Sequence, residues 1–154
     1  MTLLTKRVTV LLDTNTLLLF GQGIDVFGET ERLIAAPFTI NIPETVVQEV
    51  ERLSKKTTSE GKSAKLAMAI IREKERRQKE GPVTKLLLPK GKEIPLKILP
   101  GSGEEHADDA ILRIAEEAPE RTAVCTLDRG LQRRLLSRRV RVLGVKHGRL
   151  AFIE

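Results

Sequence analysis

Residues 8–15 read Val-Thr-Val-Leu-Leu-Asp-Thr-Asn, and the break at Asp13 decides the fold. Val8 to Leu12 is a short apolar run that ends abruptly in polar residues. That pattern suits a strand buried in a parallel sheet. Ligands of open α/β sheets bind beyond the carboxyl ends of the strands, so Asp13, Thr14 and Asn15 stand where a site is expected. Alone, an Asp in that place is better explained as a helix cap. The arrangement recurs, however. Thr122 to Leu127 is a second apolar run, and Asp128 follows it with Thr126 two residues earlier.

The rest of the chain supplies the helices and strands of an alternating pattern. Helical spacing is expected over Val26–Ala35, from Pro43 to Leu53, over Ser63–Lys79, over His106–Ala118, and after Asp128 through Leu131, Leu135 and Leu136. Phe38–Ile42, Val140–Val145 and Leu150–Ile153 read as short strands. Val83–Leu88 and Ile94–Leu99, separated by a polar Pro-Lys-Gly-Lys-Glu turn, read as a small peripheral hairpin. The alternation predicts one α/β domain over residues 1–154, with three α/β/α layers around a mainly parallel sheet.

Two further acids fall on faces that ought to be buried. Glu49 lies three residues after Val46 and four before Leu53, at the border of an apolar stripe. Asp108 lies three residues before Ile111 and seven before Ala115. Asp109 sits beside it and leaves the third acidic position ambiguous. A carboxylate directed at a core is costly unless it is paired or bound to a cation. Four carboxylates near one point repel strongly, and a cation relieves that repulsion.

Composition narrows the chemistry. The chain has 154 residues with one Cys and two His, so zinc ligation by soft residues is excluded. Cys125 lies in the apolar run Thr-Ala-Val-Cys-Thr-Leu and reads as a buried, inert thiol. An all-oxygen acidic set suits Mg²⁺ or Mn²⁺. No apolar stretch approaches membrane-spanning length, no signal peptide is read at the start, and a reducing cytoplasm is the expected setting. The net charge of +6 is strongly segregated. Residues 52–92 carry 13 Lys or Arg against 4 acids, and residues 129–149 carry 8 with none. Such blocks are usually solvated helix faces, but beside an acidic cluster they suit a polyanion laid across a cation site.

The four motifs together resemble the PIN-domain family of nucleases over essentially the whole chain. The segments in question are VLLDTNTLL, PETVVQEVERL, ADDAILRIA and TLDRGLQRRL. The Ala-Asp-Asp form and the basic central insertion are most similar to the branch of ribosomal-RNA-processing nucleases and their archaeal relatives. VapC-type toxin ribonucleases share the same quartet. The resemblance implies a divalent-metal-dependent endoribonuclease with Asp13, Glu49, Asp108 and Asp128 as catalytic metal ligands. It implies Thr14, Asn15 and Thr126 as supporting polar residues, with Asp109 beside the third ligand. It admits a homodimer, an antitoxin or a ribosome-assembly factor as protein partners.

On that reading Mg²⁺ or Mn²⁺ activates a water for attack on RNA, leaving a 5′ phosphate and a 3′ hydroxyl. Arg129, Arg133 and Arg134, just after Asp128, are the expected phosphate contacts. The absence of Tyr and Trp argues against extensive base stacking. The rival reading is a non-catalytic RNA-binding or assembly module on the same fold, which has no use for four mutually repelling acids.

Overall fold

The apolar runs that end in Asp13 and Asp128 lie side by side at the centre of one sheet. In the computed structural model, which describes residues 7–80, 94–101 and 104–154, the first unit is β1 (Val8–Leu12), α1 (Thr14–Leu18), a 3-10 turn (Leu19–Gln22) and α2 (Val26–Leu33). β2 (Phe38–Pro43), α3 (Glu44–Leu53), α4 (Ser59–Glu80) and β3 (Leu96–Leu99) follow. The second half is α5 (Ala107–Glu117), β4 (Thr122–Cys125), α6 (Arg129–Ser137), β5 (Arg141–Lys146) and β6 (Arg149–Ile153).

The strand order is β3-β2-β1-β4-β5-β6. Neighbours from β3 to β5 pair in parallel, and β6 turns back antiparallel to β5. The β5–β6 turn has His147 at φ 53° and Gly148 at φ 76°. Two positive φ values in a two-residue loop match the twist of the flanking strands. The architecture is the expected three-layer α/β/α arrangement. Val10, Leu11 and Leu12 are wholly buried at its centre, with Ile40, Ile42, Val124 and Leu143. Packing is therefore aliphatic; the one aromatic pair found is Phe20 edge-on to Phe27, with centroids 5.1 Å apart.

Both sheet edges meet side chains from helices. The Gln78 amide donates to Leu96 O at 3.0 Å and accepts from Leu96 N at 2.7 Å. On the other side, Leu150 N donates to Glu29 at 3.1 Å and Leu150 O accepts from Arg32 at 2.7 Å.

Three local features depart from the expectations. A short helix, α1, begins immediately after Asp13, because the Asp13 side chain caps it. Helix α4 begins at Ser59, four residues before the apolar pattern starts. There Thr58 accepts Gly61 N–H on its hydroxyl at 3.2 Å and Lys62 N–H on its carbonyl at 3.0 Å, so a polar turn becomes a helix start. Ile94–Leu99, expected as one arm of a peripheral hairpin, also contributes to the main sheet. Its Leu96–Leu99 portion pairs in parallel with β2, Ile40 opposite Leu96, as the edge of the main sheet. The other expected arm, Val83–Leu88, lies outside the described residues.

Candidate active site

The chain runs from β1 outward to β2 on one side and returns to β4 on the other. The β1/β4 boundary is therefore the switch point where crevices open beyond parallel strands. Leu12 pairs with Cys125, so Asp13 and Thr126 leave their strands as neighbours. Asp13 N–H donates to Cys125 O at 3.3 Å. The Thr126 hydroxyl donates to Asp13 Oδ2 and accepts Asp128 N–H at 3.1 Å. Asp13 Oδ1 accepts from Thr16 N at 2.9 Å and from the Thr16 hydroxyl at 2.8 Å. Asp13 is thus 5 % exposed yet held on both oxygens. The Gln132 amide donates to Thr126 O at 2.7 Å and steadies the β4–α6 turn from below.

The other acids approach from separate elements. Asp128 caps α6, its Oδ1 accepting Leu131 N–H at 2.9 Å, and is otherwise exposed. Asp108 stands half-buried in the first turn of α5, whereas the Asp109 side chain is 58 % exposed and lies 4.0 Å from Arg134. Glu49, on α3, is half-buried with Arg52 3.9 Å away. Burial pushes the Asp13 carboxyl above the usual range; the Thr126 and Thr16 hydrogen bonds oppose this, and the charge of Asp108 adds to it. Burial likewise raises Asp108, and then the negative charge of Asp128. Arg134 opposes that rise, while Glu49 and Asp109 reinforce it. Asp108 therefore feels the charges of Asp128 and Glu49 and is felt by Asp13. The four acids share one electrostatic neighbourhood.

They do not close on one point. Among the described residues no three His, Cys, Asp or Glu side chains are gathered tightly enough to hold an ion. Mutual repulsion is the physical reason for like charges to splay. The donor set nevertheless fits a hard cation. It is all oxygen, and the buried Thr14 Oγ1 next to Asp13 has no hydrogen-bond partner. Asn15, next along α1, is exposed. Thr16 is the polar residue that the sequence reading missed. The available signal was its place three residues after a capping Asp, where backbone and hydroxyl both reach the cap. Cys125 is fully buried, its thiol pushed up to about 12, as expected of an inert core residue.

The basic blocks divide. Arg129, Arg133 and Arg134 stand exposed on α6 directly beyond Asp128. Arg129 and Arg133 have no partner among the described residues, in contrast with Arg134. Arg138 pairs with Glu116 at the far end of α6. Arg141 opens β5, parallel to β4, and so lies at the opposite end of the sheet from the crevice. The later turns of α4 are an ion-pair ladder, Arg76 between Glu73 and Glu80 and Arg77 on Glu73, with Arg72 reaching Glu51. Among the described residues, the first turns of α6 set an exposed positive surface beside Asp128, and Arg52 lies beside Glu49.

Comparison with known proteins agrees with this architecture. A solved structure of the PIN domain endonuclease Utp24 superposes with a TM-score of 0.63 at 20 % identity, covering 94 % of this chain and 90 % of that one. A domain of a functionally unknown protein from Methanocaldococcus jannaschii superposes with a TM-score of 0.52 at 15 % identity, covering 90 % and 91 %. No curated protein matches the chain. Residues 10–88, from within β1 past α4, match the family described as PIN like domain, and the chain belongs to that family.

Proposed function

We propose that the protein is a divalent-metal-dependent endoribonuclease, with Asp13, Glu49, Asp108 and Asp128 around its metal. The observation that carries this reading is the crevice at the β1/β4 boundary. A carboxylate is held buried there by two hydroxyls, while Asp128 and Glu49 act on Asp108 and Asp108 acts on Asp13. A fold without catalytic use for them gains nothing from such mutual repulsion. The similarity to a structure described as a PIN domain endonuclease supports the same reading.

Each residue has a distinct task on this account. Asp13 is the fixed ligand, aimed by Thr16 and Thr126. Asp128 is tied to the same network through its backbone N–H, and among the described residues its Oδ2 accepts no hydrogen bond. Asp108 and Glu49 enter from α5 and α3. Thr14 and Asp109 flank the ligands. Mg²⁺ or Mn²⁺, when bound, lowers the pKa of a water and neutralises phosphate charge. Arg129 and Arg133, beyond Asp128, orient the RNA backbone. The products are a 5′ phosphate and a 3′ hydroxyl.

The test is cleavage of end-labelled RNA by the purified chain in Mn²⁺ and in Mg²⁺, with Asp13→Asn and Asp128→Asn alongside. Both variants should lose metal-dependent cleavage while remaining folded. A wild-type chain inert with both metals, or cleavage unchanged in Asp13→Asn, overturns the proposal.

A further inference from the structure

The Thr16 hydroxyl has one hydrogen and two acceptors at equal range, Asp13 Oδ1 and Cys125 O, each at 2.8 Å. The carboxylate charge makes the first the stronger bond. Thr16 is 1 % exposed, so no water competes for it. Its backbone N–H takes the same Asp13 oxygen at 2.9 Å. A carboxylate offers about four lone-pair sites. On Asp13, Oδ1 already receives both Thr16 donors and Oδ2 receives Thr126. What remains is one site, on Oδ2.

We propose that Thr16 is a positioning residue that turns Asp13 into a one-oxygen ligand, with Oδ2 alone free to meet a cation. This rests on the proposed metal-dependent activity. The Thr16 grip removes Oδ1 from coordination and fixes the torsion of the side chain. The Asp13 N–H on the carbonyl of Cys125 and the Thr126 hydroxyl on Oδ2 join the side chain so aimed to the end of β4. Thr126 and Asp128 leave the sheet at that end. The ligands of β1 and β4 are thereby set in register before any cation arrives, while Asp108 and Glu49 remain to be drawn in. A bidentate Asp13 is incompatible with this arrangement.

Thr16→Val keeps the volume and the backbone bond and removes only the hydroxyl. Three measurements on the full chain test the proposal. Side-chain coupling constants of the metal-free protein should show a single Asp13 χ1 rotamer in wild type and averaging in Thr16→Val. Mn²⁺ affinity, read by electron paramagnetic resonance of the free ion, should fall about tenfold or more in Thr16→Val, the range seen when a residue that orients a ligand is lost. Thr16→Ser, which restores a hydroxyl, should recover both the rotamer and most of the affinity. RNA cleavage should follow the affinity.

Thr16→Val with one Asp13 rotamer and wild-type Mn²⁺ affinity overturns the assignment. If Thr16→Val does not fold, Thr16→Ala against Thr16→Ser decides: equal rotamer averaging in the two overturns it. A wild-type chain that binds no Mn²⁺ sinks the proposed function, and with it the ligand role of Asp13. The metal-free rotamer comparison then still reports whether Thr16 holds the side chain.

Discussion

The hydroxyl of Thr126 donates to Oδ2 of Asp13 across 113 residues of chain, and its oxygen accepts the N–H of Asp128. One hydroxyl therefore joins the two strand-end acids. The contact follows from the register of β1 on β4, Leu12 opposite Cys125. Replacing Thr126 with Val leaves Oδ2 of the buried Asp13 carboxylate without its donor and the Asp128 N–H without its acceptor. Such losses cost about 1–3 kcal/mol each. The urea midpoint of Thr126→Val should fall accordingly, and Thr126→Ser should recover most of it. An unchanged midpoint in Thr126→Val would contradict the stated geometry.

Asp108 and Asp109 should separate in activity. Asp108 is half-buried and feels Asp128 and Glu49, while Asp109 faces solvent and Arg134. Asp108→Asn should therefore lower kcat/KM far more than Asp109→Asn. The reverse order in steady-state cleavage would make Asp109 the third ligand.

Stability of the metal-free chain should depend on pH through Asp13 and Asp108. Both carboxyls are held above their ordinary value, so the folded state binds more protons than the unfolded state between the two pKa values. Their stabilising contribution is complete below the unfolded value of 3.8 and is lost as pH rises through the folded value. Asp13→Asn has no such group to ionise. Its melting temperature relative to wild type, in chelator, should rise as pH is taken from about 4 to 7. Mn²⁺ should erase that advantage. A gap that stays flat with pH would show that Asp13 is not perturbed by burial.

The exposed start of α6 should carry RNA affinity. Each phosphate neutralised on a single strand contributes a slope of roughly −0.7 in log K against log salt. Arg133→Ala with Arg134→Ala should weaken binding across unrelated sequences and make the slope shallower, with Mn²⁺ affinity retained. Filter binding over a salt series checks this; wild-type affinity and slope would take the helix out of the substrate path.

Gly21 should tolerate no side chain. A Cβ there would lie 2.0 Å from Ser63 Oγ and 2.7 Å from the Ser63 Cα, so the backbones of the 3-10 turn and α4 would have to part. Gly21→Ala should lower stability by about 1–3 kcal/mol, the usual cost of overfilling a packed contact. Thermal denaturation decides, and a neutral result would mean that α4 yields readily.

The strands that matter most for the site are also the ones the sequence announces. β1 and β4 are apolar runs with a polar stop, and their Asp residues mark the crevice without further help. The half-buried position of Asp108 follows from its helical spacing to Ile111 and Ala115, both wholly buried. What sequence patterns miss depends on contacts made at a distance. Helix α1 is five residues long, too short for an apolar period to emerge, and exists because Asp13 caps it. β3 has four residues and is held by pairing with β2 and by Gln78. Thr16 looks like any polar residue of a short helix until its hydroxyl is placed between Asp13 and Cys125. The basic blocks read as uniform charge, yet ion pairs and strand direction divide them into paired, distant and crevice-side groups.

The Gln78 amide on β3 and the Glu29–Arg32 pair on β6 act like stub ends of further strands beyond the six of the described residues. Each occupies an outward peptide of the border residue, Leu96 or Leu150. An incoming strand, whether from a second copy or from an unfolded neighbour, would first have to evict them. Among the described residues the sheet is therefore bounded at both ends by side-chain mimicry rather than by closure into a barrel. Association between copies is steered away from strand addition and towards the helical surfaces, where it need not disturb the crevice between β1 and β4.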